Sequence, residues 1–563
     1  MLSRLRTLNW LEIGVVFFVA VAFYTLHFHH YFDTFSSQIF FFNDADDAKI
    51  YQWNTWHFAH QIKEGNSIFY TDYICTPKGT SLWMHAYTLW FGMLNLFLND
   101  IELSINLGIA IQLVVAFIGF YFLAKRFVMR PYFAGVVAYI SVFNTYILAK
   151  VGVHYNLVLI GLLPFLLLLI FKLFSVENNS IRIHKKYFIW FLLLLILAFF
   201  MDYYVVFYAM AFLAVYLLWY GMLSKWFDTW NWKKTSLVVM LFGMGHVLLR
   251  GLRISGFDER GAVWGSADFR LLFSPSSNSE NLKEWVIQDI PNTLNDNKIF
   301  IGFGVIVYLI VALTFFYSSF RQDREARFFL FSSVVFLLVT LPVIKIAGKD
   351  LFYNFTAIVH YIPFVNNVRA PDRFILLFFI SASLFICRLV FLETYHTSDW
   401  RKYVGFSLSI LVLSFLDHSQ QKMKPVQQPQ ASVLLQNCKD KTVLMLPFGI
   451  RDGYQSFGDF DENQALLQTQ YAFKMPSGYL SRLHDETWKF YTTNTFYKNL
   501  VELQEDKSVS DFNWHLALHK NKIQRLYVSK SYLAKHKSVE EVISELPALP
   551  QEDEIGILFT FYK

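Results

Sequence analysis

The chain has 563 residues, of which 55% are hydrophobic, 19% aromatic and only 16% charged. Ordinary soluble proteins carry about 25% charged residues, so this composition excludes a typical soluble protein and indicates a polytopic membrane protein with a water-soluble part. The formal net charge of +6 does not indicate a nucleic-acid partner. Much of the Lys and Arg lies in short loops between apolar runs, where membrane topology explains it.

Apolar runs of about 20 residues predict transmembrane helices. The first run, 11–31, ends in aromatic residues and histidines rather than at a small-residue cleavage site, so we interpret it as a retained span and not as a signal peptide. Altogether, we predict about eleven spans in an α-helical polytopic membrane protein. The predicted spans are 11–31, 104–124, 132–150, 156–174, 187–201, 203–221, 235–252, 299–318, 328–346, 373–391 and 403–416.

The basic loops predict the orientation of these spans. With the N-terminus in the cytoplasm, every short loop rich in Lys and Arg falls on the cytoplasmic side, as the positive-inside rule requires. This pattern holds only if the apolar segment 81–98 does not span, so we predict a re-entrant or interfacial helix there. The long loops 32–103, 253–298 and 347–372 then lie outside, together with the tail that begins at Asp417.

The tail 417–563 has the composition of a small soluble α/β domain, which follows a predicted transmembrane domain at 1–416. Residues 538–546 predict a helix with Ser538 as its N-cap. A tail of about 140 residues has a normal domain size. Strand-like runs lie at 442–447, 523–528 and 555–562.

Three cysteines, Cys75, Cys387 and Cys438, show no metal-ligand spacing and are interpreted as incidental thiols. A disulfide between Cys75 and Cys438 requires both residues to lie outside the cell. The predicted topology places both there, so this pairing stays open.

Three carboxylates lie within four residues shortly after the first span, at Asp44, Asp46 and Asp47. Helical periodicity follows, and a helix that began at Asp44 would place Asp44 and Asp47 on one face. Paired carboxylates can hold a divalent cation, or one can act as a base while the other orients it. The alternative is that these acids only start an interfacial helix, a position that favours them.

Further motifs extend this pattern along the chain. In the first outer loop they are 43–47 (NDADD), 53–56 (WNTW) and 77–85 (PKGTSLWMH). Later ones are 154–156 (HYN), 266–268 (SAD) with 274–275 (SP), 367–374 (NVRAPDRF), 446–449 (LPFG) and 478–482 (GYLSR). Together they resemble the GT-C superfamily of membrane glycosyltransferases, and most closely a largely uncharacterised bacterial branch with an acidic G-D-x-x-D-like start. Asn43 stands here in place of the Gly.

The resemblance implies a multi-pass enzyme of the bacterial cytoplasmic membrane. Such an enzyme takes a sugar from a polyprenyl-phosphate carrier and passes it, with inversion, to a glycan, lipid or protein acceptor on the outer face. It implies Asp44 and Asp47 as the matched acidic positions, with Asp46 as a third candidate. Their implied role is that of catalytic base, or of ligand to Mg²⁺ or Mn²⁺ if the enzyme depends on a metal.

A leaving lipid phosphate needs positive charge nearby. Arginine is suited to this role because it forms bidentate contacts with phosphate, although an arginine near the membrane edge also commonly snorkels or pairs with an acid. The candidates at the outer ends of later spans are Arg250, Arg253, Arg369 and Arg373.

Other polar candidates at the outer face are His85, His154 and Asp202. Asp202 interrupts two apolar runs, which favours a functional role for an ionisable residue, with a tight polar turn as the alternative. The two histidines are more typical of satisfied local hydrogen bonds than of metal ligands.

Two other classes of protein compete with an enzyme. A transporter or flippase of a lipid-linked glycan would need ionisable residues deep in several spans, and only His246 and Arg388 lie deep here. A non-catalytic assembly protein would use the outer tail to bind a partner, and its acidic cluster would be dispensable.

Overall fold

The computed structural model describes residues 10–41, 47–83, 85–177, 180–223, 232–254, 266–275, 299–361, 370–394, 400–417, 423–430, 432–507, 509 and 512–561. The helices up to residue 254 are α1 (Trp10–Phe28), α2 (Asp47–Glu64), α3 (Leu89–Leu98), α4 (Ile101–Val128), α5 (Pro131–Val142), α6 (Thr145–Val151), α7 (Leu163–Leu173), α8 (Phe188–Met201), α9 (Tyr203–Leu218) and α10 (Trp232–Ile254). The next helices are α11 (Phe303–Phe315), α12 (Tyr317–Gln322), α13 (Arg324–Thr340), α14 (Ile375–Thr394) and α15 (Trp400–Asp417). The last are α16 (Asn463–Tyr471), α17 (Asp485–Thr493), α18 (Thr495–Gln504), α19 (Trp514–Lys520), α20 (Lys530–Leu533) and α21 (Lys537–Ser544).

The described strands are short and form several small sheets. Up to residue 353 they are β1 (Phe40–Phe41), β2 (Tyr70–Thr71), β3 (Thr80–Ser81), β4 (Phe174–Glu177), β5 (Ser180–Ile183), β6 (Val343–Ile346) and β7 (Lys349–Tyr353). The others are β8 (Lys424–Pro425), β9 (Val443–Leu446), β10 (Gly449–Arg451), β11 (Ser456–Gly458), β12 (Gly478–Tyr479), β13 (Arg525–Ser529), β14 (Pro550–Glu552) and β15 (Gly556–Thr560). The largest sheet has the order β14-β15-β13-β9, and a smaller one has the order β11-β10-β12.

The chain divides into two compact units, each made of two separate stretches of sequence. The helical unit contains residues 1–33 and 109–423, and the mixed unit contains residues 34–108 and 424–563. The segment 34–108 therefore packs with the C-terminal segment, an arrangement that a linear division into 1–416 and 417–563 does not include.

Four described helical segments are long and apolar enough to cross a membrane: Trp10–Thr34, Ile101–Val128, Tyr203–Leu223 and Pro371–Thr394. The bent pair α5 and α6 makes a fifth if it is counted as one span. The predicted count of about eleven is therefore not confirmed among the described residues. Several predicted spans correspond to shorter apolar helices, including α7, α11 and part of α15.

Two predicted spans are interrupted for identifiable reasons. In 132–150, helix α5 ends at Val142 and α6 restarts with a bend of 46°. Asn144 caps α6, because its Oδ1 accepts a hydrogen bond from the Ile147 N–H at 2.9 Å. In 328–346, helix α13 ends at Thr340 and the chain continues into the antiparallel hairpin of β6 and β7. The hairpin turns at Ala347 and Gly348, both of which have positive φ.

Other local predictions have mixed outcomes. Only 89–98 of the segment 81–98 is helical, as α3. Strands β9 and β15 lie within the predicted runs 442–447 and 555–562, and β13 overlaps the predicted run 523–528. Helix α21 lies where a helix was predicted, but its N-cap is His536 and not Ser538. The Ser538 Oγ donates instead to the Leu503 carbonyl at 3.1 Å.

The mixed unit has one hydrophobic core shared by its two stretches. Trp53, Phe58 and Tyr87 of the segment 34–108 belong to the same buried cluster as strands β9 and β13. The backbone also joins the stretches, since the Met475 N–H donates to the Tyr73 carbonyl at 2.8 Å. All three cysteines are buried free thiols, so Cys75 and Cys438 form no disulfide.

One side chain connects three segments inside this core. Gln468, on α16, is completely buried. Its Nε2 donates to the carbonyls of Tyr73 and Phe473, both at 2.7 Å, and its Oε1 accepts from the Trp53 indole N–H. A buried amide with every partner satisfied fixes α2 and the first loop against α16.

We therefore expect Gln468→Ala to lower the free energy of unfolding by about 2 kcal/mol or more, because it leaves the buried Trp53 N–H and the Phe473 carbonyl without this partner, while the Tyr73 carbonyl keeps its bond from Met475. Gln470→Ala, at an exposed position of the same helix, is the matched control and should change it by less than about 0.5 kcal/mol. Chemical unfolding of the detergent-solubilised protein measures both. Equal effects of the two variants would contradict this role.

Candidate functional site

The acidic cluster is described at one of its three positions. Asp44 and Asp46 lie outside the described residues, whereas Asp47 is the first residue of α2. Its carboxylate is half-buried, and Oδ1 accepts a hydrogen bond from the Tyr479 hydroxyl at 3.3 Å. An acid in the first turn is stabilised by the positive end of the helix dipole. Asp47 is thus held at a defined place next to the C-terminal segment.

A row of polar side chains on α2 is buried behind Asp47. Asn54, His57 and Gln61 are each at most 3% exposed, which is unusual for polar groups and requires hydrogen-bond partners. The Gln61 amide donates to His57 Nε2 at 3.1 Å, and His57 Nδ1 bonds to the Tyr87 hydroxyl. Because both ring nitrogens are satisfied in the neutral form and the ring is buried, the pKa of His57 falls to about 3.

His85 lies at the centre of this buried network. The Ser481 N–H donates to His85 Nδ1 at 3.0 Å, so Nδ1 is an acceptor and the proton is on Nε2. His85 Nε2 donates to Asn54 Oδ1 at 2.9 Å, and the Asn54 amide donates to the Ala86 carbonyl at 3.1 Å. Burial lowers the pKa of His85 to about 3, with Asp47 acting weakly in the opposite direction. This histidine is therefore a neutral structural link and not a free acid or base.

Three sequence motifs meet in this network. WNTW supplies Asn54, the segment 77–85 supplies His85, and GYLSR supplies Ser481 and Tyr479. The LPFG motif leads into β10, which pairs in parallel with β12 of GYLSR. Motifs separated by several hundred residues thus meet near the start of α2, where Asp47 lies.

Three residues of the helical unit that were predicted from the sequence also lie near one another: Asp202, Arg373 and His154. Asp202 is buried and caps α9, accepting from the Tyr204 N–H at 2.7 Å. Its Oδ2 accepts from Asn156 Nδ2 at 2.7 Å. The charges of Arg373 and His154 both act on this carboxylate. The Arg373 guanidinium also lies 4.6 Å from the Tyr204 ring centroid. Asp202 is therefore both a helix cap and part of a charged cluster.

The other predicted arginines are not described at side-chain level. Arg369 lies outside the described residues. Arg250 and Arg253 lie on α10, whose backbone alone is described there. Their predicted role in phosphate binding stays a prediction.

The SAD motif has a structural role. The Ser266 hydroxyl donates to the Val343 carbonyl at 2.7 Å, and Asp268 Oδ2 accepts from the Gly348 N–H at 3.2 Å. Asp268 also receives two hydrogen bonds from Arg270. These contacts hold the β6–β7 hairpin, which forms part of the loop that was predicted as outer.

Sequence reasoning missed Lys150, which is completely buried at the end of α6. Its ammonium lies 5.5 Å from the Tyr146 ring centroid. Asp372 and Arg373 interact electrostatically with the same tyrosine, Tyr146. The readable signal was a lysine at the end of an apolar run, four residues before His154.

The deep ionisable residues have partners that explain them. Arg388 Nη2 lies 2.7 Å from Asp323 Oδ2 and 3.1 Å from Glu325 Oε2. His246 Nδ1 accepts from the Tyr353 N–H at 2.9 Å, and its ring stacks on Phe352. In the described structure, Arg388 joins two helices through these ion pairs, and His246 attaches the β6–β7 hairpin to α10.

Among the residues whose placement is described, no group of three His, Cys, Asp or Glu side chains could hold a metal ion. Asp47 is the described member of the predicted carboxylate ligands. Carboxylate oxygens are the ligands that Mg²⁺ and Mn²⁺ prefer, so the chemistry of Asp47 suits such a cation.

No protein-family model matches the chain, and no curated protein matches it. Among solved structures, it is similar to the archaeal oligosaccharyltransferase AglB from Archaeoglobus fulgidus in complex with an inhibitory peptide and a dolichol-phosphate. The TM-score is 0.41 and the identity 10%, with 92% of this chain and 69% of that chain covered.

The chain is also similar to the apo form of the Archaeoglobus fulgidus oligosaccharyltransferase, with a TM-score of 0.42, 9% identity, and coverage of 94% of this chain and 70% of that chain. At such scores the likeness carries no argument about activity or substrate.

The buried histidines predict how stability depends on pH. Between about pH 6.5 and pH 3 the unfolded chain binds protons at His57 and His85 that the folded chain does not, so stability falls as the pH falls through this window. From pH 7 to pH 5 each histidine should contribute a loss of about 2 kcal/mol.

Chemical unfolding at several pH values measures this dependence. His85→Gln should remove about half of the histidine contribution to it. His519→Gln, at an exposed position of α19, is the control and should leave the pH dependence unchanged. A His85 variant with the full wild-type pH dependence would rule out this assignment.

Proposed function

We propose that this chain is an integral-membrane glycosyltransferase that moves a sugar from a polyprenyl-phosphate donor to an acceptor on the outer face. The observation that carries this proposal is the meeting of the WNTW, 77–85 and GYLSR motifs around the start of α2, through Asn54, His85 and Ser481. The site is built from the residues that carry the resemblance to the GT-C superfamily.

In this reaction an aspartate of the first loop takes the proton of the acceptor hydroxyl. The hydroxyl oxygen then forms a bond to the anomeric carbon of the sugar, with inversion, while the bond from that carbon to the phosphate oxygen breaks. The released polyprenyl phosphate carries the negative charge. Asp44 and Asp47 are the proposed bases, with Asp46 as the third candidate.

Positive charge near the leaving phosphate lowers the barrier of this step. We assign that role to Arg373, which acts on Asp202 in the charged cluster of the helical unit, and to Arg250, Arg253 and Arg369. If the enzyme uses Mg²⁺ or Mn²⁺, Asp44 and Asp47 would hold it, and the cation would supply charge stabilisation to the donor phosphate.

The proposed topology has about eleven spans, a cytoplasmic N-terminus and an outer C-terminal segment in a bacterial cytoplasmic membrane. Its support is that all short basic loops fall on one side in this arrangement. The donor and acceptor would then meet on the outer face, where both the first loop and the C-terminal segment lie.

We expect an alkaline phosphatase fused after Lys563 to be active, because that enzyme works only outside the cytoplasm. A fusion in the basic loop at Arg126 should be inactive and serves as the opposite-side control. An inactive fusion after Lys563 would overturn the proposed orientation.

The purified protein in nanodiscs tests the activity. With a panel of polyprenyl-phosphate hexoses, hexosamines and pentoses, and cell-envelope extract as acceptor, mass spectrometry of released polyprenyl phosphate reports transfer whatever the acceptor is. We expect Asp44→Asn and Asp47→Asn to slow release by about 100-fold or more, because an amide takes up no proton.

Asp72→Asn is the matched control, since Asp72 lies in the same loop but pairs with Lys474 and is about half exposed. It should retain activity within about twofold. Full activity of both the Asp44 and the Asp47 variants would contradict the enzymatic role of the first loop.

A further inference from the structure

The GYLSR motif contains a residue that contacts the acidic cluster directly. The Tyr479 hydroxyl is a donor and the Asp47 carboxylate is an acceptor, with 3.3 Å between their oxygens. This is longer than the usual 2.5–3.0 Å for an O–H···O bond. Hydrogen bonds of catalytic groups are often long in ligand-free sites and shorten when substrate binds.

The position of the Tyr479 ring is fixed by the strand next to it. β10 and β12 pair in parallel, with Arg451 opposite Tyr479. The Arg451 guanidinium lies 5.2 Å from the centroid of the Tyr479 ring, within the range of a cation–π contact. Arg451 Nη1 is in turn 3.3 Å from Glu462 Oε1, a buried carboxylate. Glu462, Arg451 and Tyr479 thus form a chain that ends at Asp47.

The residues on both sides of Tyr479 are attached to the first loop. A Cβ on Gly478 would lie 3.1 Å from the Ile74 Cβ and 3.3 Å from the Cys75 Sγ, so a larger residue would require these neighbours to shift by a few tenths of an ångström. Ser481 bonds to His85 through both its N–H and its hydroxyl. Because Tyr479 lies between Gly478 and Ser481, which both contact the first loop, its hydroxyl has a defined direction relative to Asp47.

We propose that Tyr479, held by Arg451, is a positioning residue for the Asp47 carboxylate, so that the C-terminal segment completes the catalytic site of the first loop. This rests on the proposed function. A hydroxyl that donates to one carboxylate oxygen fixes the orientation of the other oxygen, which is the one that takes the proton of the acceptor hydroxyl.

Tyr479→Phe tests the role with little change in size. In the polyprenyl phosphate release assay, we expect kcat to fall by about 10-fold, with KM changed by less than about twofold. Arg451→Ala should lower kcat in the same way, because the Tyr479 ring loses the guanidinium that holds it, and Arg451→Lys should lower kcat less.

Tyr454→Phe is the matched control. Tyr454 is an exposed tyrosine of the same segment, and its hydroxyl accepts from Arg482 Nη2 at 2.7 Å. This variant should keep the wild-type kcat. Equal kcat values for Tyr479→Phe and Tyr454→Phe would overturn the positioning role.

A measurement without turnover separates this proposal from the proposed function. In a double-mutant cycle of thermal unfolding, Tyr479→Phe should lower the midpoint by about 2 °C when Asp47 is present and leave it unchanged in an Asp47→Ala background. Absence of this coupling overturns the contact whatever the activity is. A wild-type protein that shows the coupling but releases no polyprenyl phosphate overturns the proposed function alone.

Discussion

The mixed unit depends on buried polar groups that must find partners within the protein. Gln468 satisfies two carbonyls and one indole N–H, and His85 joins Asn54 of α2 to Ser481 of the C-terminal segment. A buried donor or acceptor left without its partner costs about 1–3 kcal/mol, so each of these bonds allows one arrangement of the segments and disfavours others. The same bonds determine where Asp47 lies, because Asp47 is on α2 together with Trp53 and Asn54, which receive these bonds or make them. Fold and site thus share one set of interactions.

The neutral state of the histidines is part of that constraint. His57 and His85 are placed so that each ring nitrogen already has a partner in the uncharged form. A second ring proton on His85 would point at the Ser481 N–H. The network is therefore polar without being charged, and the acidic and basic side chains of Asp47 and Arg451 lie at its partly exposed edge.

Sequence patterns predicted the helices well where hydrophobic length decides, and less well where local hydrogen bonds decide. The run 328–346 reads as one apolar segment, but hydropathy cannot distinguish the end of a helix from the buried strand β6. Asn144 inside 132–150 is a capping residue, and it was a readable signal for the break that the length criterion overrode. The contact of His85 with Ser481 joins positions 396 residues apart, and no periodicity carries such information. Motif resemblance identified both residues without showing that they meet.

The division of the mixed unit between two ends of the chain has a consequence for biosynthesis. Residues 109–423, a stretch of 315 residues, are made after the first loop and before its partner segment. At about 5–20 residues per second, the ribosome needs roughly 15 to 60 seconds for that stretch. During this time α2 exposes Trp53, Asn54 and His57 without the core that later covers them. The core of this unit therefore becomes complete only after translation is nearly finished, and a nascent chain that stops before residue 424 lacks the segment that covers α2.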